Sequence, residues 1–206
     1  MSIRKATDIF GDWAKSGRDT GMEKNHGPAV DFMLNKLTTD FNSPFTFIDA
    51  GCGNGWVIRK IMKHDFCNQA YGVDGAKDMI LKAKEIDSIG NYFCSDLLDW
   101  SPNEKVDFVH SMEVIYYFKD PKALISHMVE SWLKPGGKII AGIDFYSENK
   151  NSHSWPEDLQ TRMSLLSITE WHELFQESGF KQVKVYQTNK KKDFPGTLVI
   201  YGIKDK

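Results

Sequence analysis

The stretch Phe45-Thr46-Phe47-Ile48-Asp49-Ala50-Gly51-Cys52-Gly53-Asn54-Gly55 opens as a β-rich run and closes as a glycine turn. Beyond it, apolar residues at Val57, Ile58, Ile61 and Met62 recur with helical spacing, so the segment reads strand, tight turn, helix. The same rhythm returns along the chain. Ala70 to Asp74 reads as a second strand, followed by a helix with Met79, Ile80 and Ala83 inward. Asn91 to Cys94 gives a short third strand and Val106 to Ser111 a fourth. Pro121 then starts a helix whose apolar stripe is Leu124, Ile125, Met128, Val129 and Trp132. After the Lys134-Pro135-Gly136-Gly137 turn, Lys138 to Ile143 is a fifth strand. Ile168 to Ser178 is a helix with Trp171, Leu174 and Phe175 inward, stopped by Gly179. Lys181 to Thr188 and Thr197 to Lys204 differ in kind, two β-rich runs joined by a polar loop. They form an antiparallel hairpin.

Strands alternating with helices imply βαβ units. The fold class is therefore α/β: a Rossmann-like mixed sheet with helices on both faces and an antiparallel C-terminal hairpin. One domain is expected from 206 residues. It divides into a helical cap over 1–44, a cofactor-binding half over 45–144, an insertion over 145–167, and the last helix and hairpin over 168–206. The cap and the insertion interrupt the alternation, and both are candidates for a substrate lid. Within the cap, Gly27-Pro28 breaks the segment, and Val30, Met33, Leu34 and Leu37 give the following helix a core-facing stripe. The stretch before that break is expected to be a mobile cover, with Arg18 or His26 reaching the cofactor's carboxylate or the acceptor.

The chemistry should sit outside the carboxyl ends of the strands. Asp49 and Gly51 follow strand one, Asp74 strand two, Asp96 strand three and Glu113 strand four. A glycine turn lets a ligand approach the backbone, and an acid closing the second strand can accept both hydroxyls of a ribose. This reads as a nucleoside cofactor. Gly51, Gly53 and Gly55 do not keep the G-x-G-x-x-G spacing of dinucleotide sites, and Asp49 precedes the turn. A carboxylate there repels a pyrophosphate but attracts a sulfonium and an ammonium, which favours S-adenosylmethionine over NAD.

Phe47 to Gly55 resembles the first motif of the class I S-adenosylmethionine-dependent methyltransferases, in their small-molecule branch. Tyr71 to Asp74 resembles the second-strand acid motif, Cys94 to Leu97 the adenine-side motif and Val106 to Val114 the fourth-strand motif. Trp132 to Lys138 resembles the turn before strand five, and Trp171 to Phe180 the last helix of that branch. The resemblance implies seven strands in the order 3-2-1-4-5-7-6. It also implies that Asp49, Ala50, Gly51, Cys52 and Gly53 surround the methionine part of the cofactor, with S-adenosylhomocysteine as product. Asp74 would hold the ribose, Gly75 and Met79 would flank the adenine, and Asp96 would accept from its amino group over the Leu97 backbone. Ser111 and Met112 would line the floor near the sulfonium.

The acceptor side reads less sharply. Methyl transfer from a sulfonium needs positioning more than acid–base help. His26, in the cap, and Tyr117 are the catalytic candidates. Trp13, Met22, His26, Tyr116, Tyr117, Tyr146 and Trp155 are the expected acceptor-side residues, which as a largely aromatic set suit a small, partly apolar molecule. Ser111-Met112-Glu113-Val114 is not the motif of nucleobase amino methyltransferases, and Asp144-Phe145 is not the Asp-Asn pair of metal-assisted ones, so no metal is expected. With 26 basic residues against 28 acidic and a net charge of −2, the chain is not expected to bind nucleic acid. Cys52, Cys67 and Cys94 form no C-x-x-C pair, and no apolar run suits a membrane span. These features point to a cytoplasmic protein and leave its oligomeric state open. Two other readings remain at this level: a dinucleotide-dependent oxidoreductase, and a cofactor-binding module without catalysis.

Overall fold

The computed structural model describes residues 3–206, so the first two positions of the cap lie outside the described residues. Seven strands form one sheet: β1 (Phe45–Ala50), β2 (Cys67–Asp74), β3 (Asn91–Cys94), β4 (Val106–Met112), β5 (Leu133–Ile143), β6 (Phe180–Thr188) and β7 (Thr197–Lys204). Their order is β3-β2-β1-β4-β5-β7-β6, as the resemblance implied. The first five run parallel, and β7 lies antiparallel to both β5 and β6.

The helices are α1 (Ala6–Ser16), α2 (Thr20–Thr38), α3 (Trp56–Ile61), α4 (Lys77–Ile86), α5 (Pro121–His127), α6 (Trp155–Asp158) and α7 (Ile168–Glu177). Because successive strand residues face opposite ways, β1 sends Phe45 and Phe47 into one core and Ile48 and Ala50 into the other. The first core is closed by Val30, Met33 and Leu37 of α2 with Val57, Ile58 and Ile61 of α3. The second is closed by Leu124 and Ile125 of α5 with Trp171 and Phe175 of α7. Both faces being covered explains why the central strands read as nearly continuous apolar runs.

The expected break at Gly27-Pro28 does not occur. Helix α2 runs through Pro28 without interruption. The proline forfeits one helical N–H, at about 3 kcal/mol in a helix interior. Burial of Ala29, Val30, Met33, Leu34 and Leu37 just beyond it offsets that cost. Met62, read as continuing the helical spacing, lies past the end of α3 and is exposed. Strand β5 starts earlier than expected, at Leu133, and crosses the Pro135-Gly136 turn with a register irregularity against β4. The last turn after α5 widens over Met128–Trp132, and the Trp132 indole donates to the Trp100 carbonyl at 2.9 Å.

Candidate active site

The glycine turn after β1 is fixed by left-handed backbone. Gly51 has φ 77° and Gly53 φ 52°, values that favour glycine. A Cβ on Gly51 would overlap the Val114 side chain, and one on Gly55 the Tyr92 ring. The N–H groups of Gly51 and Cys52 both donate to the Val73 carbonyl, at 2.7 and 3.1 Å, which ties the turn to β2. Asp74, at the end of β2, accepts from the Gly53 N–H at 2.9 Å on one oxygen and the Ala76 N–H at 2.7 Å on the other. Burial pushes its carboxyl up, these two bonds oppose that, and nearby Asp49 adds to the push. Each oxygen keeps a further lone pair for a hydroxyl.

A cleft of about 560 Å³ opens at these strand ends. It is lined by Gly51, Asp74, Gly75, Asp96 and Leu97 from the strand ends, together with Phe10, Val114, Tyr117, Lys119 and Arg162. Asp96 accepts from the Leu98 N–H at 2.9 Å through one oxygen, so it closes a turn and lines the cleft at once. Met79 is buried with Ala14 and Ala76, and Met22 packs against them. A Cβ on Gly53 would lie 3.5 Å from the Met22 methyl group and 3.9 Å from the Met79 sulfur. Two of the remaining cofactor candidates are buried beside the turn. The Ser111 hydroxyl donates to the Ala50 carbonyl at 2.9 Å, tying β4 to β1. The buried Cys52 thiol is pushed up chiefly by burial.

Beside Gly51, a small recess is lined by Met22, His26, Asp49, Met112 and Glu113. Asp49 is buried and meets His110 Nδ1 at 2.7 Å. Glu113 has φ 60°, a left-handed conformation rare for a side-chain-bearing residue, directly after β4. Its carboxylate accepts from the Tyr116 hydroxyl at 2.9 Å and from the Asp144 N–H. Burial and then Asp144 push Glu113 well above the usual carboxylate range. Burial also raises Asp144, although the Thr197 hydroxyl, His26 and Lys191 pull it back. One Asp144 oxygen is buried without a hydrogen-bond partner, and the other lies 3.8 Å from His26 Nδ1. Burial lowers His26, against the pull of Asp144, so the ring favours its neutral form. Burial likewise raises the Tyr117 phenol, which therefore keeps its proton.

The cap is not a loose cover. Asp19, between α1 and α2, is fully buried and accepts from Lys82 Nζ at 2.6 Å and Asn54 Nδ2 at 2.8 Å. This binds the cap to α4 and to the glycine turn. The Thr7 side chain lies where a Cβ on Gly75 would reach, so α1 sits over that end of the cleft. The Arg4 N–H donates to the Gln160 carbonyl at 2.8 Å, and the Thr161 hydroxyl donates to the Arg4 carbonyl at 2.9 Å. The cap and the 145–167 insertion are thereby stitched into one roof.

Of the acceptor-side candidates, Tyr117 lines the cleft and Met22 and His26 line the recess. Tyr116 lies beneath, its ring 4.5 Å from that of Tyr117. Trp13 packs edge-on against Phe10, which lines the cleft. Arg18 is exposed, its guanidinium 4.8 Å above the Trp13 ring, and lines neither hollow. Tyr146 is buried away from the cleft, donating to the Gly196 carbonyl at 2.7 Å, and Trp155 stacks on Phe145. Sequence reasoning missed Asp19, Lys82 and Asn54, and gave no role to Asp144 or Glu113. Glu113 and Asp144 could have been found as the acids directly following β4 and β5, left unassigned.

A doubly wound sheet with acids and glycines converging at the ends of β1, β2 and β3 defines a nucleoside-cofactor protein. A family model described as a methyltransferase domain matches residues 23–185, and the chain belongs to that family, the class I S-adenosylmethionine-dependent methyltransferases. It is 28% identical over 177 residues to a malonyl-[acyl-carrier protein] O-methyltransferase 2 of Ilyobacter polytropus, spanning 80% of this chain and 65% of that relative's length. It matches a chain solved in complex with the Haloferax volcanii Trm112 methyltransferase activator, with 26% identity, TM-score 0.84 and 100% of both chains covered. The N-methyltransferase NodS of Bradyrhizobium japonicum, solved with S-adenosylhomocysteine, shares the fold at TM-score 0.67 and 18% identity over 85% of each chain. The family's cofactor is S-adenosylmethionine, and the site fits it: the turn around Gly51 has no room for a Cβ, and two acids, Asp74 and Asp96, line the cleft.

Proposed function

We propose that the chain transfers the methyl group of S-adenosylmethionine to a small acceptor molecule that enters under the roof formed by α1 and the 145–167 insertion. The observation that carries this reading is the continuity of the site. The acids expected to hold the nucleoside share a cleft with Phe10, Tyr117 and Lys119, and its Gly51 end adjoins the recess holding His26 and Glu113. Bound there, the cofactor supplies a methyl group on sulfur that is already activated for transfer.

The chain's own residues then divide the work. Asp74 and Asp96 fix the nucleoside through charge-assisted hydrogen bonds. The aromatic rings of Phe10 and Tyr117, 5.5 Å apart, hold apolar acceptor surface and exclude water. His26, kept neutral by burial, takes the proton that an acceptor hydroxyl releases as its oxygen bonds to the methyl carbon, or that an acceptor ammonium gives up beforehand to free the lone pair that attacks. Tyr117 keeps its proton and so orients the acceptor as a hydrogen-bond donor rather than acting as base. Lys5, Lys119 and Arg162 line the mouth and pair with no carboxylate among the described residues, which suits an acceptor carrying a negative group away from the reacting atom.

Thermal melting tests the cofactor half of the reading. A ligand at 100 times its Kd adds about 2.7 kcal/mol, or roughly 5–10 °C for a chain of this size. S-adenosylmethionine and S-adenosylhomocysteine should give that shift and NAD none; a shift with NAD alone would overturn the reading. A panel of small acids, phenols and amines with labelled S-adenosylmethionine tests the acceptor half. A second element is supported by the likeness, over the whole of both chains, to a chain solved with an activator: this protein works together with a methyltransferase activator protein.

A further inference from the structure

The two outer strands of the sheet are treated differently. The β6 edge carries exposed Lys181 and Lys184, a register break between them, and Gln182 at φ 49°. Charges and bulges of this kind are how proteins stop an open edge from pairing with another chain. The β3 edge has none of these devices. Its residues are Asn91, Tyr92, Phe93 and Cys94, without lysine, proline or bulge. Large apolar side chains bracket it in the open: Ile86 is 51% exposed, Ile89 92%, Phe93 39% and Leu98 41%. The Phe93 ring rests at its inner side against Trp100, 5.4 Å away, and Tyr71, 6.2 Å away, and leaves 39% of the residue exposed.

We propose that the outer edge of β3, with Ile86, Ile89, Phe93 and Leu98 around it, is the docking surface of a methyltransferase activator protein that adds a strand to the sheet. This rests on the activator reading given above and supplies its location. Main-chain hydrogen bonds along β3 give affinity, and pockets around the apolar side chains give specificity. The position also explains how docking reaches the active site. Strand β3 leads directly into Asp96 and Leu97 of the cleft, and the Ser95 N–H donates to the Asp74 carbonyl at 3.1 Å. Holding β3 holds both acids in place. Coupling is reciprocal: the factor by which the activator tightens cofactor binding is the factor by which the cofactor tightens activator binding.

The test mixes the full chain with the Haloferax volcanii Trm112 activator as probe and measures mass by light scattering after size exclusion. Amide exchange at residues 91–94 and calorimetry of activator binding, with and without S-adenosylhomocysteine, complete it. A one-to-one complex is expected, with exchange at 91–94 slowed. Ile89→Lys and Phe93→Lys should each weaken it at least tenfold, while Lys184→Ala on β6 leaves it unchanged. Saturating S-adenosylhomocysteine should tighten the complex at least fivefold. A complex indifferent to the β3 variants, unchanged exchange at 91–94, a β3-dependent dimer of the chain itself, or no complex would each overturn the proposal. Calorimetry of S-adenosylhomocysteine on the chain alone separates the failures. If it binds and no complex forms, the activator reading and its docking surface fall while the methyltransferase reading stands; if a complex forms that ignores the β3 variants, only the docking surface falls; if it does not bind, the methyltransferase reading falls, and the exchange data still judge β3.

Discussion

The part of the cleft running from Gly51 to Asp96 comes from three successive strand ends, whereas its roof joins Arg4 to Thr161, 157 positions apart. The strand-end side is secured by backbone: left-handed glycines, the Val73 carbonyl taking two N–H groups, and Asp74 taking two more. The roof is secured by a few side chains, chiefly Asp19 with Lys82 and Asn54, and Ser164, whose N–H and hydroxyl donate to the Tyr116 and Phe118 carbonyls. Backbone geometry tolerates few sequences, and side-chain ties tolerate many. A shared cofactor is therefore met by the first construction and a changing acceptor by the second.

Four substitutions probe that division. His26→Ala, in the roof, should lower kcat by about 10²–10⁴-fold if the acceptor arrives protonated. Burial puts the His26 pKa below its ordinary value of 6.5, so wild-type activity should fall as pH drops through a point below 6.5. The variant should lose that acid limb, and a variant that keeps it would remove His26 from the proton path. The same shift makes the unfolded chain take up a proton first, so this group lowers stability as pH falls below 6.5.

Asp19→Ala leaves Lys82 and Asn54 without their buried partner. Breaking a buried pair costs about 3–5 kcal/mol, discounted here to about 2–4 because Lys82 is partly exposed. Melting should fall by roughly 4–16 °C. An unchanged melt would mean that the cap does not depend on this tie.

Asp74→Ala, among the strand-end acids, should cost about 1.5–3 kcal/mol of cofactor binding, or roughly 10- to 150-fold in Kd. Calorimetry with S-adenosylhomocysteine reads it, and an equal affinity in a folded variant refutes the ribose assignment. Thr161→Val removes one stitch between cap and insertion, worth about 0.5–1.5 kcal/mol. It should raise the acceptor KM by roughly 2- to 12-fold and leave the Kd for S-adenosylhomocysteine unchanged. A change in cofactor affinity instead would erase the distinction between strand-end side and roof.

Legibility in the sequence follows the same line. The strand ends could be read because a β-rich run, a glycine turn and a closing acid are local signals, and Asp49, Asp74 and Asp96 were singled out from them. The roof could not. Pro28 looked like a helix break because its cost is local while the burial that overrides it is tertiary. Arg18 looked like a ligand for a carboxylate but lies over Trp13, and Tyr146 looked like an acceptor contact but is bonded within the core. Asp19 carries no pattern at all; its partners are 35 and 63 positions away.

Ile3 and Arg4 are themselves cleft-lining residues, while Asp205 is bonded at Gly136, before the parallel part of β5 and so at the opposite end of that strand. An affinity tag or fusion partner joined ahead of Ile3 would be delivered to the mouth of the site and would compete with whatever enters there. One joined after Lys206 would emerge on the far side. Assays of this protein therefore depend on which end carries the purification handle, and a preparation that is inert with an N-terminal handle says nothing yet about the enzyme.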